Sequence, residues 1–250
     1  MPKTDLCFLN VTELAPLVRA RKISPVEIVQ ALLSRIDTLN GDLLAYLHVS
    51  AEQAMAAAHA AEIELGTGGY RGPLHGIPVA YKDIYDVQGL PTTAASKVMA
   101  GYVAPEDSTV AARLRQAGAI CLGKLNTIEF ASGSMEVFGT ARNPWNTAMF
   151  PGGSSAGSGT ALAAHMVPLA TGSDTGGSIR NPVSFCGIVG LKPTYGRISR
   201  AGIIPLSWSL DHAGPMARTV ADTALMLQAM AGPDRRDPSA ACQPAIPGGV

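Results

Sequence analysis

The sequence predicts an α/β layered fold, in which helices cover both faces of a sheet. Of its 250 residues, 47% are hydrophobic and only 15% are charged, a composition typical of a chain that buries much of its surface. From residue 77 onward, short apolar runs alternate with segments of helical periodicity, a pattern that favours a sheet buried between helices. The length suits one large domain.

The N-terminal part is predicted to be mainly helical. Ser24-Pro25-Val26-Glu27 combines a serine N-cap, a proline at the first helical position and an acid that can bond back to the cap. Apolar residues then recur at helical spacing until Asn40-Gly41, and residues 43–49 have the length of a strand. A second helix is expected from Ser50 to Gly66, followed by a loop to Gly76.

The following elements alternate between strand and helix. The expected elements are a strand at residues 77–81, a helix at 108–117, a strand at 119–122, a strand at 167–170 and a helix from Thr219 to Gly232. Residues after Pro233 show no periodicity and predict a linker or a frayed end.

Charge, cysteine content and hydropathy exclude several classes of function. Lys+Arg and Asp+Glu both number 19, so the net charge is zero and no global field attracts nucleic acid or anionic membranes. The four cysteines are scattered and lack the spacing of a disulfide scaffold or a zinc site. We see no signal peptide and no apolar stretch long enough to cross a bilayer. These observations predict a cytoplasmic protein without a bound metal.

Two glycine-rich and serine-rich segments are the strongest candidates for chemistry. Residues 152–159 lead into an apolar helix, and residues 172–178 follow an apolar strand. A serine on such a turn, with free backbone N–H groups around it, has the parts of a nucleophile beside an oxyanion hole. Each segment could instead be a simple turn. A phosphate-binding loop and a dinucleotide site lack their required residues.

A serine nucleophile needs a base, and the residues leave three candidates open. Lys82 and Lys124 each end a predicted apolar strand, where burial could keep an amine neutral. His212 stands next to Asp211, as a triad histidine would. His59 and His165 fall in predicted helices and are less suited to this role.

Several motifs in a fixed order resemble the amidase signature family. They are Tyr81-Lys82-Asp83, then residues 151–158 (PGGSSAGS), 172–182 (GSDTGGSIRNP) and 185–197 (FCGIVGLKPTYGR). The likeness extends from about Val11 to Asp237. Their joint occurrence is far more specific than any single glycine-serine turn.

The resemblance implies a Ser–Ser–Lys triad. Ser178 matches the nucleophile, Ser154 the bridging serine and Lys82 the base. The backbone N–H groups of Thr175, Gly176, Gly177 and Ser178 would form the oxyanion hole. Ser132 falls where the family places a substrate-pocket residue.

The resemblance also implies further structural features. The expected fold is a three-layer α/β/α sandwich around a mixed β-sheet, incomplete at its C-terminal end. Residues 1–68 would form an N-terminal helical segment on the core, 69–237 the N-terminal portion of the catalytic core and 238–250 a linker or frayed tail. A cis peptide bond is expected between Gly153 and Ser154, and Asp174 and Arg180 are expected to form a structural pair.

Three functions are compatible with these residues. The first is a stand-alone amidase that hydrolyses a small amide through a covalent acyl-enzyme, without a cofactor. The second is the glutaminase A subunit of an aminoacyl-tRNA amidotransferase, which would meet nucleic acid only through partner subunits. Its usual Lys-Asp-Asn and Asp-Glu-Phe are Lys82-Asp83-Ile84 and Ile128-Glu129-Phe130 here, which favours a different amide. The third is a catalytically silent fragment or scaffold. A homodimer is left open.

The resemblance predicts that the 250 residues are not a complete catalytic domain. Family members continue past this length with further strands and pocket residues. We therefore expect an uncovered sheet edge, and poor solubility or weak activity for the chain alone.

Overall fold

The computed structural model describes residues 3–134 and 137–240, so residues 241–250 of the predicted tail lie outside this part. The prediction of a linker or frayed end directly after Pro233 is wrong for the described residues, because Asp234 accepts a hydrogen bond from the Ser199 Oγ at 2.5 Å and Asp237 accepts one from the Arg200 N–H at 2.7 Å. Its helices are α1 (Lys3–Leu6), α2 (Val11–Arg19), α3 (Pro25–Leu43), α4 (Ala51–Gly66), α5 (Thr109–Gln116), α6 (Ala156–Ala163), α7 (Arg180–Cys186) and α8 (Val220–Met230). Its strands are β1 (Tyr46–Val49), β2 (Pro78–Lys82), β3 (Ile120–Leu125), β4 (Leu169–Asp174), β5 (Val189–Gly190) and β6 (His212–Ala217).

The strands form one mixed sheet in the order β1-β3-β2-β4-β6-β5. The central strands β3, β2 and β4 run parallel to one another. Strands β1, β6 and β5 pair antiparallel with their neighbours. Every residue of β2 and of β4 is buried. Because neighbouring residues of a strand point to opposite faces, both faces of the sheet centre are covered, which confirms the layered α/β prediction.

The helix-start signals of the sequence act as expected at α3. The Ser24 Oγ accepts a hydrogen bond from the Val26 N–H at 3.0 Å, and the Glu27 carboxylate accepts one from the Ser24 N–H at 2.9 Å. The predicted end at Asn40-Gly41 is wrong, because α3 continues to Leu43. A glycine on an open helix surface costs only about 1 kcal/mol, and tertiary packing overrides this preference.

Strand boundaries differ from the prediction where pairing decides them. Strand β3 runs to Leu125, so Lys124 lies inside the strand and does not end it.

Two further predictions differ from the structure. His165 lies outside α6, with a φ of 55°, and so the helical prediction for it is wrong. Strand β6, which begins at His212, was not predicted from the sequence, and its pairing with β4 holds it in the sheet.

The parallel pair β2 and β4 positions the candidate site. Both strands end at the same edge of the sheet, β2 with Lys82 and β4 with Asp174. In sheets of this kind, ligands bind outside the carboxyl ends of the strands. The turn that follows β4 and the start of α6 therefore converge next to Lys82.

Candidate active site

Lys82 is the centre of the candidate site. Its side chain is fully buried, and its Nζ lies 2.7 Å from the Ser154 Oγ and 2.8 Å from the Ser173 Oγ. The Lys82 backbone N–H donates to the Thr171 Oγ1 at 2.9 Å. The amine is thus surrounded by hydroxyl groups at the point where β2 ends.

Burial lowers the pKa of Lys82 to about 7, and the negative charges of Asp174 and Asp211 oppose this lowering in part. Lys82 forms no ion pair in the described part of the chain. A free lysine is neutral in only about one molecule in 2,500 at pH 7. At the same pH, a lysine with a pKa of about 7 is neutral in about half of the molecules, so Lys82 can accept a proton.

The other two base candidates have different partners. Burial lowers the pKa of Lys124 too, but its Nζ forms a buried ion pair with Asp83, at 3.0 Å, which opposes this effect. The His212 Nδ1 lies 2.6 Å from the Leu210 carbonyl oxygen, and its Nε2 lies 3.3 Å from the Lys192 Nζ. Of the three candidates, only Lys82 contacts a serine of the glycine-rich segments.

Ser154 precedes α6 and is almost completely buried. The peptide bond between Gly153 and Ser154 is cis, which confirms that expectation. The Ser154 carbonyl oxygen accepts a hydrogen bond from the Thr127 Oγ1 at 2.9 Å. These contacts fix the backbone that presents the Ser154 hydroxyl to Lys82.

Ser178 lies on the turn between β4 and α7 and is half-buried. Its carbonyl oxygen accepts a hydrogen bond from the Ser155 N–H at 3.2 Å, so the two serine-rich segments are joined through their backbones. Within residues 3–134 and 137–240, the Ser178 hydroxyl makes no hydrogen bond. The structure therefore pairs Lys82 with Ser154 directly and brings Ser178 next to them by the backbone.

The turn before Ser178 presents free backbone donors. The N–H groups of Gly176, Gly177 and Ser178 donate to no acceptor in the described residues. Gly177 has a φ of 140°, which only glycine adopts readily. A turn with consecutive free N–H groups can bind a developing negative charge.

Asp174 and Arg180 hold this turn, as expected. The buried Asp174 carboxylate accepts hydrogen bonds from the Ile179 N–H at 3.2 Å and from the Arg180 Nη2 at 2.9 Å. Burial alone would raise the pKa of Asp174, but the hydrogen bonds from Arg180 and Ile179 hold it below its ordinary value. Asp174 is therefore a structural anion.

One residue of the site, Ser173, was missed by the sequence analysis, and another, Asp211, has different partners from the His212 expected beside it. Ser173 is the second hydroxyl partner of Lys82. Asp211 accepts a hydrogen bond from the Thr175 Oγ1 at 2.5 Å and one from the Leu206 N–H at 2.8 Å. The polar residues at alternate positions 171 and 173 of a buried strand are the signal that could have revealed Ser173. No local signal links Asp211 to residue 175.

A cleft opens beside these residues, with Ser173 and Thr175 in its lining. Ser132 is exposed, whereas its neighbour Ala131 lines the cleft. In the described part of the chain, no group of three or more His, Cys, Asp or Glu side chains is arranged to hold a metal ion. None of the helices described is long and apolar enough to span a membrane.

The site thus combines a mixed α/β sheet with a buried lysine and serine-rich turns at the edge of that sheet. The chain belongs to the Amidase family, whose model matches residues 27–248.

Known relatives and solved structures agree with this family. The chain is 48% identical over 246 residues to the A subunit of glutamyl-tRNA(Gln) amidotransferase from Anaeromyxobacter sp. (strain K), covering 97% of this chain and 50% of that protein. The peptide amidase structure from Stenotrophomonas maltophilia matches with a TM-score of 0.87 and 39% identity, over 94% of this chain and 50% of that one. A structure described as a vestigial protein complex that reveals the origins of an s-triazine catabolic enzyme matches with a TM-score of 0.91 and 40% identity, over 95% and 52% of the two chains. The chain thus spans about half the length of the curated relatives it matches.

Proposed function

We propose that this protein is an amidase that hydrolyses the carboxamide C–N bond of a small amide through a Ser–Ser–Lys triad. The observation that carries the proposal is the buried Lys82, whose Nζ lies 2.7 Å from the Ser154 Oγ and whose pKa burial lowers to about 7. Neutral lysine has one lone pair and two N–H groups. It can accept the Ser154 proton while it donates to Ser173.

The proposed reaction passes a proton along the three residues. Ser154 gives its proton to Lys82 and accepts one from Ser178, and the Ser178 oxygen attacks the amide carbonyl. The N–H groups of residues 175–178 stabilise the negative oxygen, and each such donor is typically worth about 3–4 kcal/mol. Ser154 then passes its proton to the leaving amine, and the C–N bond breaks. Water hydrolyses the acyl-enzyme by the same relay. No cofactor takes part in this scheme.

A serine-directed probe tests the assignment of the nucleophile. A fluorophosphonate should label the protein at Ser178, and Ser178→Ala should abolish both labelling and release of ammonia or amine from a panel of amides. Ser184→Ala, at an exposed serine on the nearby α7, is the matched control and should keep both. Labelling at another residue would refute the assignment, and loss of labelling in both variants would show a structural effect. A protein that neither reacts with the probe nor hydrolyses any amide would be a silent fragment or scaffold.

The second candidate function is the glutaminase A subunit of an aminoacyl-tRNA amidotransferase. It is favoured by the 48% identity to the Anaeromyxobacter protein. In this case the protein should hydrolyse glutamine and copurify with partner subunits, through which alone it would meet tRNA. Amide hydrolysis by the purified protein alone, with no activity on glutamine, would favour the stand-alone amidase. Sedimentation of the purified protein would also test for a homodimer.

A further inference from the structure

A buried ion pair and two threonines form a cluster at the end of β2. The four residues are Asp83, Thr92, Thr93 and Lys124, which we call the clamp, and none of them is more than 9% exposed. One Asp83 carboxylate oxygen pairs with the Lys124 Nζ at 3.0 Å, and the other accepts from the Thr93 N–H at 3.0 Å and from the Thr93 hydroxyl at 2.5 Å. The Lys124 Nζ also donates to the Thr92 hydroxyl and to the Pro91 carbonyl oxygen, both at 2.8 Å.

The clamp holds a strained turn in the loop of residues 91–95. Ala94 and Ala95 have φ angles of 49° and 52°, in the left-handed region that residues with a side chain rarely adopt. The Ala94 N–H donates to the Asp83 carbonyl oxygen at 2.9 Å, and the Ala95 N–H donates to the Thr93 hydroxyl at 3.1 Å. A conformation of this kind persists only where its surroundings enforce it, so the clamp stabilises this turn.

The first turn supports a second left-handed turn that contacts Ser154. The Ala94 carbonyl oxygen accepts from the Phe130 N–H at 2.9 Å, and Phe130 and Ala131 have φ angles of 45° and 64°. Two residues earlier, the Ile128 N–H donates to the Ser154 carbonyl oxygen at 3.3 Å. Hydrogen bonds therefore connect the clamp, through two strained turns, to the backbone of Ser154.

These contacts close into a ring, because Asp83 directly follows Lys82 and the Lys82 Nζ lies 2.7 Å from the Ser154 Oγ. A misplacement of about 1 Å between reacting groups can lower a rate about 100-fold. We infer that the clamp positions Lys82 against Ser154 and that Thr93 is a positioning residue of the proton relay; the inference rests on the proposed function.

A fluorophosphonate measures the relay without a known substrate. The Ser178 oxygen forms a bond to phosphorus, the P–F bond breaks and fluoride leaves, while the Ser178 proton passes through Ser154 to Lys82. The labelling rate at saturating probe therefore depends on the contact between Lys82 and Ser154. The half-saturating probe concentration reports how well the probe binds.

Removing the Thr93 hydroxyl tests the clamp. Thr93→Val keeps the shape of the side chain, but it takes one donor from the Asp83 carboxylate and the acceptor from the Ala95 N–H. We expect the labelling rate at saturation to fall about tenfold, with less than about a twofold change in the half-saturating concentration. Thr93→Ser keeps the hydroxyl and should stay within about twofold of the wild type. An equal loss in Thr93→Ser and Thr93→Val would overturn the inference.

A second clamp variant and a matched control complete the experiment. Thr92→Val removes a different bond of the clamp, should lower the rate in the same way, and serves in case Thr93→Val fails to fold. Thr223→Val is the same change at a threonine of α8 that is 4% exposed and whose hydroxyl donates to the Thr219 carbonyl oxygen at 2.8 Å. This control should keep the labelling rate of the wild type. Unchanged rates in folded clamp variants would overturn the inference.

The outcomes distinguish this inference from the proposed function. A wild type that is labelled at Ser178, with equal rates in all variants, keeps the proposed nucleophile and loses the inference. A wild type that does not react with the probe and hydrolyses no amide overturns both.

Discussion

Replacing Lys82 with methionine should change how the stability of the protein depends on pH. The pKa of this lysine is about 7 in the folded chain and 10.5 in its ordinary state. Between these values, unfolding takes up one proton, so the free energy of unfolding of the wild type rises with pH by about 1.4 kcal/mol per unit. Below the folded pKa, both states are protonated and this dependence ends. Methionine removes the titration and keeps an apolar chain of similar length.

The size of the effect follows from the two pKa values. Lys82 should destabilise the folded wild type by about 4 kcal/mol at pH 7 and by about 1 kcal/mol at about pH 9.5. The difference in free energy of unfolding between Lys82→Met and wild type should therefore fall by about 3 kcal/mol over this range. Loss of the hydrogen bonds to Ser154 and Ser173 adds a constant that does not change the slope.

Urea denaturation of both proteins across this pH range measures the difference. Other titrating groups are common to both proteins and cancel, provided that unfolding is two-state. Lys97→Met, at an exposed lysine, is the matched control. Its difference in free energy of unfolding from the wild type gives the baseline. A difference between Lys82→Met and wild type that is independent of pH would refute the lowered pKa and, with it, the argument that Lys82 is a base.

Three further changes test neighbouring contacts. Ser173→Ala should lower kcat about tenfold and move the acid limb of the pH profile to lower pH, because the protonated amine loses a hydrogen-bond acceptor. Lys124→Met should lower the free energy of unfolding in urea by about 3–5 kcal/mol, because it leaves Asp83 buried without its partner. Asp211→Asn should lower kcat about tenfold with little change in KM, because the new amide cannot accept all the hydrogen bonds that fix the turn.

The first two changes have a control, and each of the three has a result that would contradict it. Ser184→Ala controls for Ser173→Ala. An unchanged pH profile in Ser173→Ala would show that the Ser173 hydroxyl does not affect the pKa of Lys82. The double change that also replaces Asp83 with leucine should recover part of the stability lost in Lys124→Met, and no recovery would contradict the ion-pair argument. An effect of Asp211→Asn on KM alone would place this residue in substrate binding.

The sequence predicted helices where the signals are local. Two helices were predicted to begin at Ser108 and Thr219, and these residues are N-caps that accept hydrogen bonds from the N–H groups of Ala111 and Asp222. The helix predicted to begin at Ser50 forms, but the Ser50 side chain does not cap it, since its hydroxyl donates to the Cys121 carbonyl oxygen in the sheet at 3.2 Å. Tertiary contact competes with capping for the same hydroxyl, and the sequence does not reveal which contact forms.

Strand β6 could not be predicted because its sequence, HAGPMA, has weak strand propensity. It contains a glycine and Pro215, residues that usually interrupt strands. Its six residues are nevertheless paired with β4 from Leu169 to Asp174. Pairing between distant segments therefore determines this strand, and it also places His212 and Asp211 beside the site.

The candidate site could also be predicted only in part from the sequence, because its residues come from distant segments. Residue types and glycine-rich turns indicated the serines, but they left Lys82, Lys124 and His212 as open alternatives for the base. The contact between Lys82 and Ser154 joins residues 72 positions apart, a distance over which spacing carries no information. Only the resemblance to the amidase signature family singled out Lys82. The roles in the triad, the oxyanion donors, Ser132 and the domain division stay predictions.

The second buried lysine, Lys124, explains how Lys82 can be neutral. Asp83 follows Lys82 directly in the chain and would keep it protonated if the two side chains paired. Instead, Asp83 pairs with Lys124 at 3.0 Å and accepts from the Thr93 hydroxyl at 2.5 Å. The nearest carboxylate in the sequence is thus compensated by another cation. Within the described residues, the Lys82 Nζ forms hydrogen bonds with the hydroxyl groups of Ser154 and Ser173 and with no carboxylate. The Asp83–Lys124 pair therefore contributes to the site at a distance, because it removes the anion that would otherwise raise the pKa of the base.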